Sequence, residues 1–168
     1  LSALQVEVLN GYLFAYGGGY AGYRIYDFSG VHSADSEAEL LVEVGAFPTS
    51  AMPLDISIDD RHLAVAEVIH GVELFRLPSA SESSDGSYQP VPIASRNYVG
   101  DGVRGVHLQG DYLYVAQGSR VEKLRITSSD SLQLIQWVGM SSWVYDLRGD
   151  GTNLYLGIAH GVTATLQP

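Results

Sequence analysis

The chain contains no cysteine, and it has a single lysine, Lys123. The absence of cysteine excludes disulfides, thiolate catalysis and cysteine-ligated metal sites. With 9 basic residues against 19 acidic ones, the formal net charge is −10 and the sequence pI is about 4.7. A surface this acidic repels phosphate backbones and anionic lipids. We therefore expect no nucleic-acid partner and no insertion into membranes.

Long apolar runs and helical periodicity are also missing. No stretch approaches the ~20 apolar residues that a membrane-spanning helix needs. What the chain does contain is 46% hydrophobic residues, 19 glycines and 11 tyrosines, with only 17% charged residues. This composition is typical of a turn-rich β protein, and the length of 168 residues suits one well-buried domain. We expect a single all-β domain over residues 1–168 with almost no helix.

One hairpin pattern recurs four times along the chain. Each copy has an alternating strand, a tight polar turn and a more apolar second strand. The second strands are anchored by leucines at spacings of 50, 50 and 41 residues, namely Leu13, Leu63, Leu113 and Leu154. Third strands are predicted at Gly22–Phe28, Gly71–Leu77, Arg120–Ile126 and Gly161–Leu166. Fourth strands are predicted in three of the units, at Leu40–Phe47, Val91–Val99 and Leu132–Val138.

Units of four antiparallel strands with a period of roughly 40–50 residues are typical of β-propeller blades. The predicted blades cover residues 3–47, 53–99, 102–140 and 143–168. Polar insertions at residues 32–39 and 79–87 fall between third and fourth strands, where we expect peripheral, mobile loops. A β-sandwich is the structural alternative, because it too contains many short strands with frequent turns.

The last predicted blade lacks its outer strand. An open arc of four blades would expose apolar faces and an unpaired strand edge at its two ends. We therefore expect another protein chain, or a second copy, to complete the ring, with contact surfaces at Ala3–Leu9 and Gly161–Leu166, so that Val162→Lys weakens assembly. A closed ring of four blades is the alternative. The sequence begins at Leu1 with neither methionine nor signal peptide, which suggests processing or trimming.

Residues 101–139 carry a family resemblance. Their glycine-rich entry, the second strand Tyr112-Leu113-Tyr114-Val115-Ala116, the apolar third strand and the Ser/Asp-rich loop resemble the repeat of LVIVD-type β-propellers. Residues 10–28 and 51–78 match it more loosely, and residues 141–166 match in outline. The resemblance implies a propeller fold, and the composition is similar to that of secreted or periplasmic propellers, which implies an extracellular or periplasmic location. The missing Gly-His and Trp-Asp pairs argue against a WD40 assignment.

A candidate binding site follows from the predicted topology. Turns between second and third strands, and links between blades, meet at one end of a propeller, where ligands commonly bind. The tentative ligand-binding residues there are Glu67, His70, Asp101, Arg104, Arg120 and Trp143, with Tyr20, Met140 and His160 on the same rim. His70 and His160 occupy equivalent positions, but a whole blade separates them, so we expect no shared metal ion.

Enzyme motifs are absent. The sequence has no G-x-S-x-G elbow, no H-E-x-x-H and no Walker-type loop. The tripeptide Arg148-Gly149-Asp150 matches an integrin-binding motif, but its Asp-Gly continuation is well explained as turn chemistry. The preferred hypothesis is a non-catalytic interaction or assembly module with no cofactor. The alternative is a ligand-binding or hydrolytic propeller enzyme with a polar site at the channel mouth.

Overall fold

A computed structural model describes residues 3–17, 22–27, 42–49, 51–79, 88–98, 100, 102–158 and 164–166. Within these residues the chain forms 15 β-strands and no helix. The strands form four antiparallel sheets, and in each sheet the spatial order of the strands is their order along the chain. The prediction of an all-β chain built from four antiparallel units is confirmed.

The four sheets are numbered here I to IV in chain order. Sheet I contains β1 (Ala3–Leu9), β2 (Tyr12–Gly17), β3 (Tyr23–Asp27) and β4 (Val42–Phe47). Sheet II contains β5 (Pro53–Ile58), β6 (His62–Glu67), β7 (Gly71–Arg76) and β8 (Val91–Arg96). Sheet III contains β9 (Val103–Gln109), β10 (Tyr112–Gln117), β11 (Arg120–Ile126) and β12 (Leu132–Gly139). Sheet IV contains β13 (Val144–Gly149), β14 (Leu154–Ile158) and β15 (Ala164–Leu166).

The four anchoring leucines occupy the same place in their hairpins. Each pairs with the last or next-to-last residue of the preceding strand, as Leu63 pairs with Ile58 and Leu113 with Leu108. Positive φ angles at Gly11, Gly110 and Gly151 close three of these turns, and glycine adopts such angles without steric cost. The sequence alignment of the units is therefore a structural alignment as well.

Three apolar layers hold the four sheets together, one between each successive pair. Phe14 and Ile25 of sheet I pack with Leu63 and Val65 of sheet II. The next layer joins sheets II and III, and the third joins sheets III and IV. Because strand side chains alternate between faces, β6 turns Leu63 toward sheet I and its neighbour Ala64 toward sheet III, so all six of its residues are buried. A two-sheet sandwich does not have this arrangement.

The first strands of the sheets lie next to one another, since β1 contacts β5, β5 contacts β9 and β9 contacts β13. Side chains on β5 hold β9 by its backbone. Asp55 accepts a hydrogen bond from the Val106 N–H at 2.9 Å, and the Ser57 hydroxyl accepts one from the Leu108 N–H at 2.9 Å. These bonds satisfy buried polar groups and fix the stagger between sheets II and III.

Several predictions concern residues outside the described part of the chain. The insertion at residues 32–39, nearly all of that at 79–87, and the start of the last predicted strand with Val162 belong to this group. Among the described residues there is no helix that could cross a bilayer.

Candidate functional site

The predicted rim residues of sheet II do not form a common site. Glu67 ends β6 and is completely buried, and its Oε1 accepts a hydrogen bond from the Ala51 N–H at 3.0 Å. His70 is exposed in the β6–β7 turn. Asp101, Tyr20 and His160 lie outside the described residues. Glu67 thus serves to anchor the segment that leads into β5.

Arg104 and Trp143 do come together. The Arg104 guanidinium lies 5.1 Å from the centroid of the Trp143 ring and 5.0 Å from that of Tyr145. The two rings stack at 6.5 Å with an interplanar angle of 30°. Cation–π contact of this kind fastens the start of β9 to the start of β13.

Arg120 belongs to a buried ion-pair network that the sequence did not reveal. Its guanidinium lies 3.0 Å from Oε1 of Glu122, a side chain that is 2% exposed, and it also donates to the Gln117 side chain. From sheet II, Arg96 lies 3.3 Å from Oε2 of Glu122, and the Tyr98 hydroxyl donates to the same oxygen at 2.9 Å. Burial, together with the nearby Glu122 carboxylate, raises the pKa of Tyr98. Glu122 therefore has two guanidiniums and a phenol as partners, an arrangement that holds sheets II and III together.

A second polar cluster lies on the first strands. Arg148 on β13 reaches Oδ2 of Asp55 at 3.3 Å and Oδ1 of Asp146 at 3.0 Å. Burial raises the pKa of the nearby Glu7, against the opposing influence of Arg148. Burial and Arg148 together lower the pKa of His107. Arg148 thus joins β13 of sheet IV to β5 of sheet II.

Both charged residues of the Arg148-Gly149-Asp150 tripeptide are engaged within the chain. Asp150 accepts hydrogen bonds from the backbone N–H groups of Thr152 and Asn153, and from the Tyr155 hydroxyl at 2.7 Å. These donors hold the pKa of Asp150 well below its usual range. The tripeptide is accounted for by turn formation and by the Arg148 cluster.

The outward face of sheet I, which faces away from sheet II, is apolar near its first two strands. Val6 and Val8 are 46% and 54% exposed. Register places Ala15 opposite Val6 and Leu13 opposite Val8, on the same face, and both are half-buried. Farther out, on the last two strands, Arg24 and Glu43 form an exposed ion pair at 2.6 Å.

The outward face of sheet IV, which faces away from sheet III, carries Tyr155 together with the Asp146–Arg148 ion pair. Tyr155 is 39% exposed, whereas Leu147, Leu154 and Leu156 on the other face are buried. Sheets I and IV therefore each bury one face, while sheets II and III bury two.

Within the described residues no group of three or more histidine or acidic side chains is placed to hold a metal ion. No protein-family model matches the chain, and no curated protein matches it. Solved structures do match. The computationally designed Ika8 protein has a TM-score of 0.67 at 8% identity, over 96% of this chain and 44% of that one. The computationally designed Ika4 protein has a TM-score of 0.63 at 11% identity, over 96% of this chain and 88% of that one. The chain thus spans less than half of Ika8, and at such low identities the likeness shows the fold alone.

Proposed function

We propose that this chain is a non-catalytic β-propeller segment that assembles with a second copy of itself. In the complex, the outward face of sheet I in each copy packs against the outward face of sheet IV in the other. The carrying observation is the exposure of Val6 and Val8, whose equivalents in sheets II and III are buried or partly buried. Ile56 and Val106 occupy the position of Val6 in their own sheets, and they are 1% and 0% exposed.

The propeller interpretation is supported by the way successive sheets stack. Each sheet has its strands in chain order, its first strand beside those of its neighbours, and an apolar layer between it and the next sheet. Propeller blades have these properties, because one blade cannot bury both of its faces alone. Sheets I and IV follow the same rule and each lacks a neighbour on one side.

The choice of a second copy as the partner rests on the two outward faces. Sheet I offers small aliphatic side chains, and sheet IV offers Tyr155 and the exposed backbone of Gly157, beside the Asp146–Arg148 ion pair. A two-fold axis would produce the same contact twice and leave neither face exposed.

The distribution of charge on sheet I fits an interface. Apolar residues lie near the first two strands, and the Arg24–Glu43 ion pair lies at the outer margin. Protein interfaces commonly have an apolar centre with a polar, solvent-accessible rim.

Sedimentation of the purified chain tests the proposal. Wild-type protein should sediment at twice the chain mass of 18.1 kDa at micromolar concentrations. Val8→Lys should raise the dissociation constant by about tenfold or more, because an ammonium group would be buried without a partner. Ile69→Lys is the control, since Ile69 is 71% exposed but lies in the β6–β7 turn, away from both outward faces. A wild-type monomer, or a Val8→Lys variant that dimerises like wild type, would contradict the proposal.

A second candidate function is ligand binding at the end of the sheets that carries the β6–β7 and β10–β11 turns. The contact of Arg104 with Trp143 favours it, because a guanidinium and an indole lie together there. Glu67 and Arg120 make contacts within their own chain instead. Co-purification of a sugar or an organic cofactor at this end would favour the second candidate.

A further inference from the structure

An apolar groove runs between the outermost strands of sheets II and III. Its two walls are β8 and β12. On β12, Leu134 pairs with Leu124, which belongs to the apolar layer between these sheets, so both side chains face sheet II. Trp137 pairs with Glu122, whose carboxylate contacts Arg96 of sheet II, so the indole is on the same face.

Val91 on β8 faces this groove from the other side. It pairs with Arg76, which is two residues after Leu74 of the same apolar layer, so Val91 is turned toward sheet III. Val91, Leu134 and Trp137 are 45%, 40% and 59% exposed, and these three residues define the rim groove. Its floor consists of partly buried side chains, namely Ile93, Ala94 and Leu132. The rim groove therefore exposes large apolar side chains from two sheets in one place.

At one end the rim groove adjoins a cleft of about 800 Å³ beside the β5–β6 and β9–β10 turns. Three arginines and three aspartates line this cleft, namely Arg61, Arg76, Arg125, Asp60, Asp111 and Asp130. The rim groove has a different chemistry, because its β12 wall, LQLIQWVG, contains no charged residue. An occupant of the rim groove is therefore best matched if it is uncharged and apolar.

The equivalent groove between sheets I and II is covered by the chain itself. Tyr88 lies shortly before β8, is 5% exposed, and donates its backbone N–H to the Val44 carbonyl of β4 at 3.0 Å. The centroid of its ring lies 4.4 Å from that of Tyr12 and 5.8 Å from that of Phe14. Pro90 is also buried. A segment without regular secondary structure, with a buried aromatic side chain and a proline, thus fills this groove.

The corresponding connection in sheet III is much shorter. Residues 77–90 connect β7 to β8, whereas only residues 127–131 connect β11 to β12. These five residues form a tight turn, in which the Thr127 N–H donates to the Ser131 carbonyl and the Asp130 N–H donates to the Thr127 carbonyl, both at 2.9 Å. Within the described residues, the rim groove therefore lacks the cover that Tyr88 gives to the neighbouring groove.

One difference between the two grooves limits how an occupant can lie. A Cβ on Gly45 of β4 would be 2.0 Å from the Tyr88 carbonyl oxygen, so glycine permits the close approach of the Tyr88 backbone. The equivalent residue in β8 is Ala94, because Gly45 pairs with Ile25 and Ala94 pairs with Leu74 at the same place in their third strands. The backbone of an occupant in the rim groove must therefore lie farther out, and its side chain reaches the floor.

We propose that the rim groove binds an uncharged segment of another protein, in which an aromatic residue is followed two positions later by proline, as in residues 88–90 of this chain. The aromatic ring enters between Val91 on one wall and Leu134 and Trp137 on the other. There it removes apolar surface from water and packs against the indole. Buried aromatic anchors of this kind contribute much of the binding energy at protein interfaces. The rim groove is on neither outward face of sheets I and IV, so this inference is independent of the proposed dimer.

The chain's own covering sequence supplies the probe, a capped peptide GSYQPVP that corresponds to residues 86–92. The chain has two tryptophans, so Trp143→Phe leaves Trp137 as the only one. Tryptophan emission of this variant should shift to shorter wavelength on titration with the peptide, because the indole leaves water, with a dissociation constant of about 1 mM or below. The peptide GSSQPVP, which has serine in place of the tyrosine, should bind at least about tenfold more weakly.

Further variants in the Trp143→Phe background assign the binding to the rim groove. Leu134→Lys should weaken peptide binding by about tenfold, because an ammonium group would be buried against the aromatic ring. Ile69→Lys is the control, since Ile69 is 71% exposed in the β6–β7 turn, away from the rim groove.

Three results of the titrations would overturn the inference: no spectral shift with GSYQPVP, equal affinity for the two peptides, or equal losses in the Leu134→Lys and Ile69→Lys variants. A spectral shift that follows protein concentration without peptide would also overturn it, because a second copy would then cover the rim groove.

Discussion

At the scale of single residues, buried charge connects neighbouring sheets. Glu122 on β11 is almost inaccessible, yet it accepts contacts from Arg96 and Tyr98 of sheet II as well as from Arg120 of its own strand. A buried carboxylate is stable only when it is paired and hydrogen-bonded. Removing the Glu122 carboxylate would therefore leave Arg96 and Arg120 without their anionic partner and would destabilise the fold.

Glu122→Gln should lower the free energy of unfolding by about 2–4 kcal/mol, because two guanidiniums would then face a neutral amide. Urea denaturation at a fixed protein concentration measures the loss. Glu43→Gln is the control, since it breaks an ion pair whose side chains are 49% and 42% exposed, and it should change stability little. Equal effects of the two substitutions would show that the Glu122 network does not stabilise the fold.

The sequence could not reveal these residue-scale contacts. Arg120 was identified from its turn position, but its partner network depends on Arg96 and Tyr98, which reach Glu122 only after sheets II and III have packed. Arg148 and Asp55 are 93 positions apart. Strand periodicity assigns a side chain to a face, and it carries no information about which distant residue covers that face.

At the scale of elements, glycine shapes the entry into third strands. Gly22 and Gly71 both have positive φ, at +82° and +99°. In both places a Cβ would collide with a carbonyl oxygen at the end of the fourth strand, that of Phe47 in sheet I and that of Arg96 in sheet II. Glycine is required there for two reasons, since the backbone conformation is strained for other residues and the space is already filled.

Gly71→Ala should destabilise the protein by about 3 kcal/mol or more, because the strain at positive φ is added to a clash with backbone. Gly110→Ala separates the two effects. Gly110 also has a positive φ, +59°, but nothing lies within 4 Å of the position that a Cβ would take there. Its substitution should cost only about 1–2 kcal/mol. Thermal unfolding of both variants measures the two losses of stability. Equal losses would show that the backbone clash at Gly71 adds nothing to the strain of a positive φ.

Strands were well predicted from hydrophobic alternation and glycine turns, to within a few residues for β3, β7, β8, β11 and β12. The pattern could not distinguish Val8 from Leu108, its equivalent in sheet III. Both are apolar residues in alternating strands, but Val8 is 54% exposed and Leu108 is 5% exposed. The difference depends on whether another sheet lies alongside, which is a property of the assembly of elements.

At the scale of the whole molecule, a cleft and the apolar outward faces lie in different places. The arginine-lined cleft lies between sheets II and III, and the apolar outward faces belong to sheets I and IV. The predicted ligand-binding rim was at the opposite end from this cleft. Loop topology identified that rim, whereas the cleft lies at the end of the strands that carries the β5–β6 and β9–β10 turns.

The most direct test of the assembly is the reactivity of a single thiol on the outward face of sheet I. The chain has no cysteine, so Val8→Cys introduces the only one. If a second copy covers this face, the rate of thiol alkylation should fall as the protein concentration rises through the dimerisation range. Val91→Cys is the control, because Val91 is 45% exposed on β8 and belongs to neither outward face of the terminal sheets.

We predict that the Val8→Cys rate falls about tenfold between dilute and concentrated protein, while the Val91→Cys rate stays constant. Two rates that are both independent of concentration would contradict the proposed assembly.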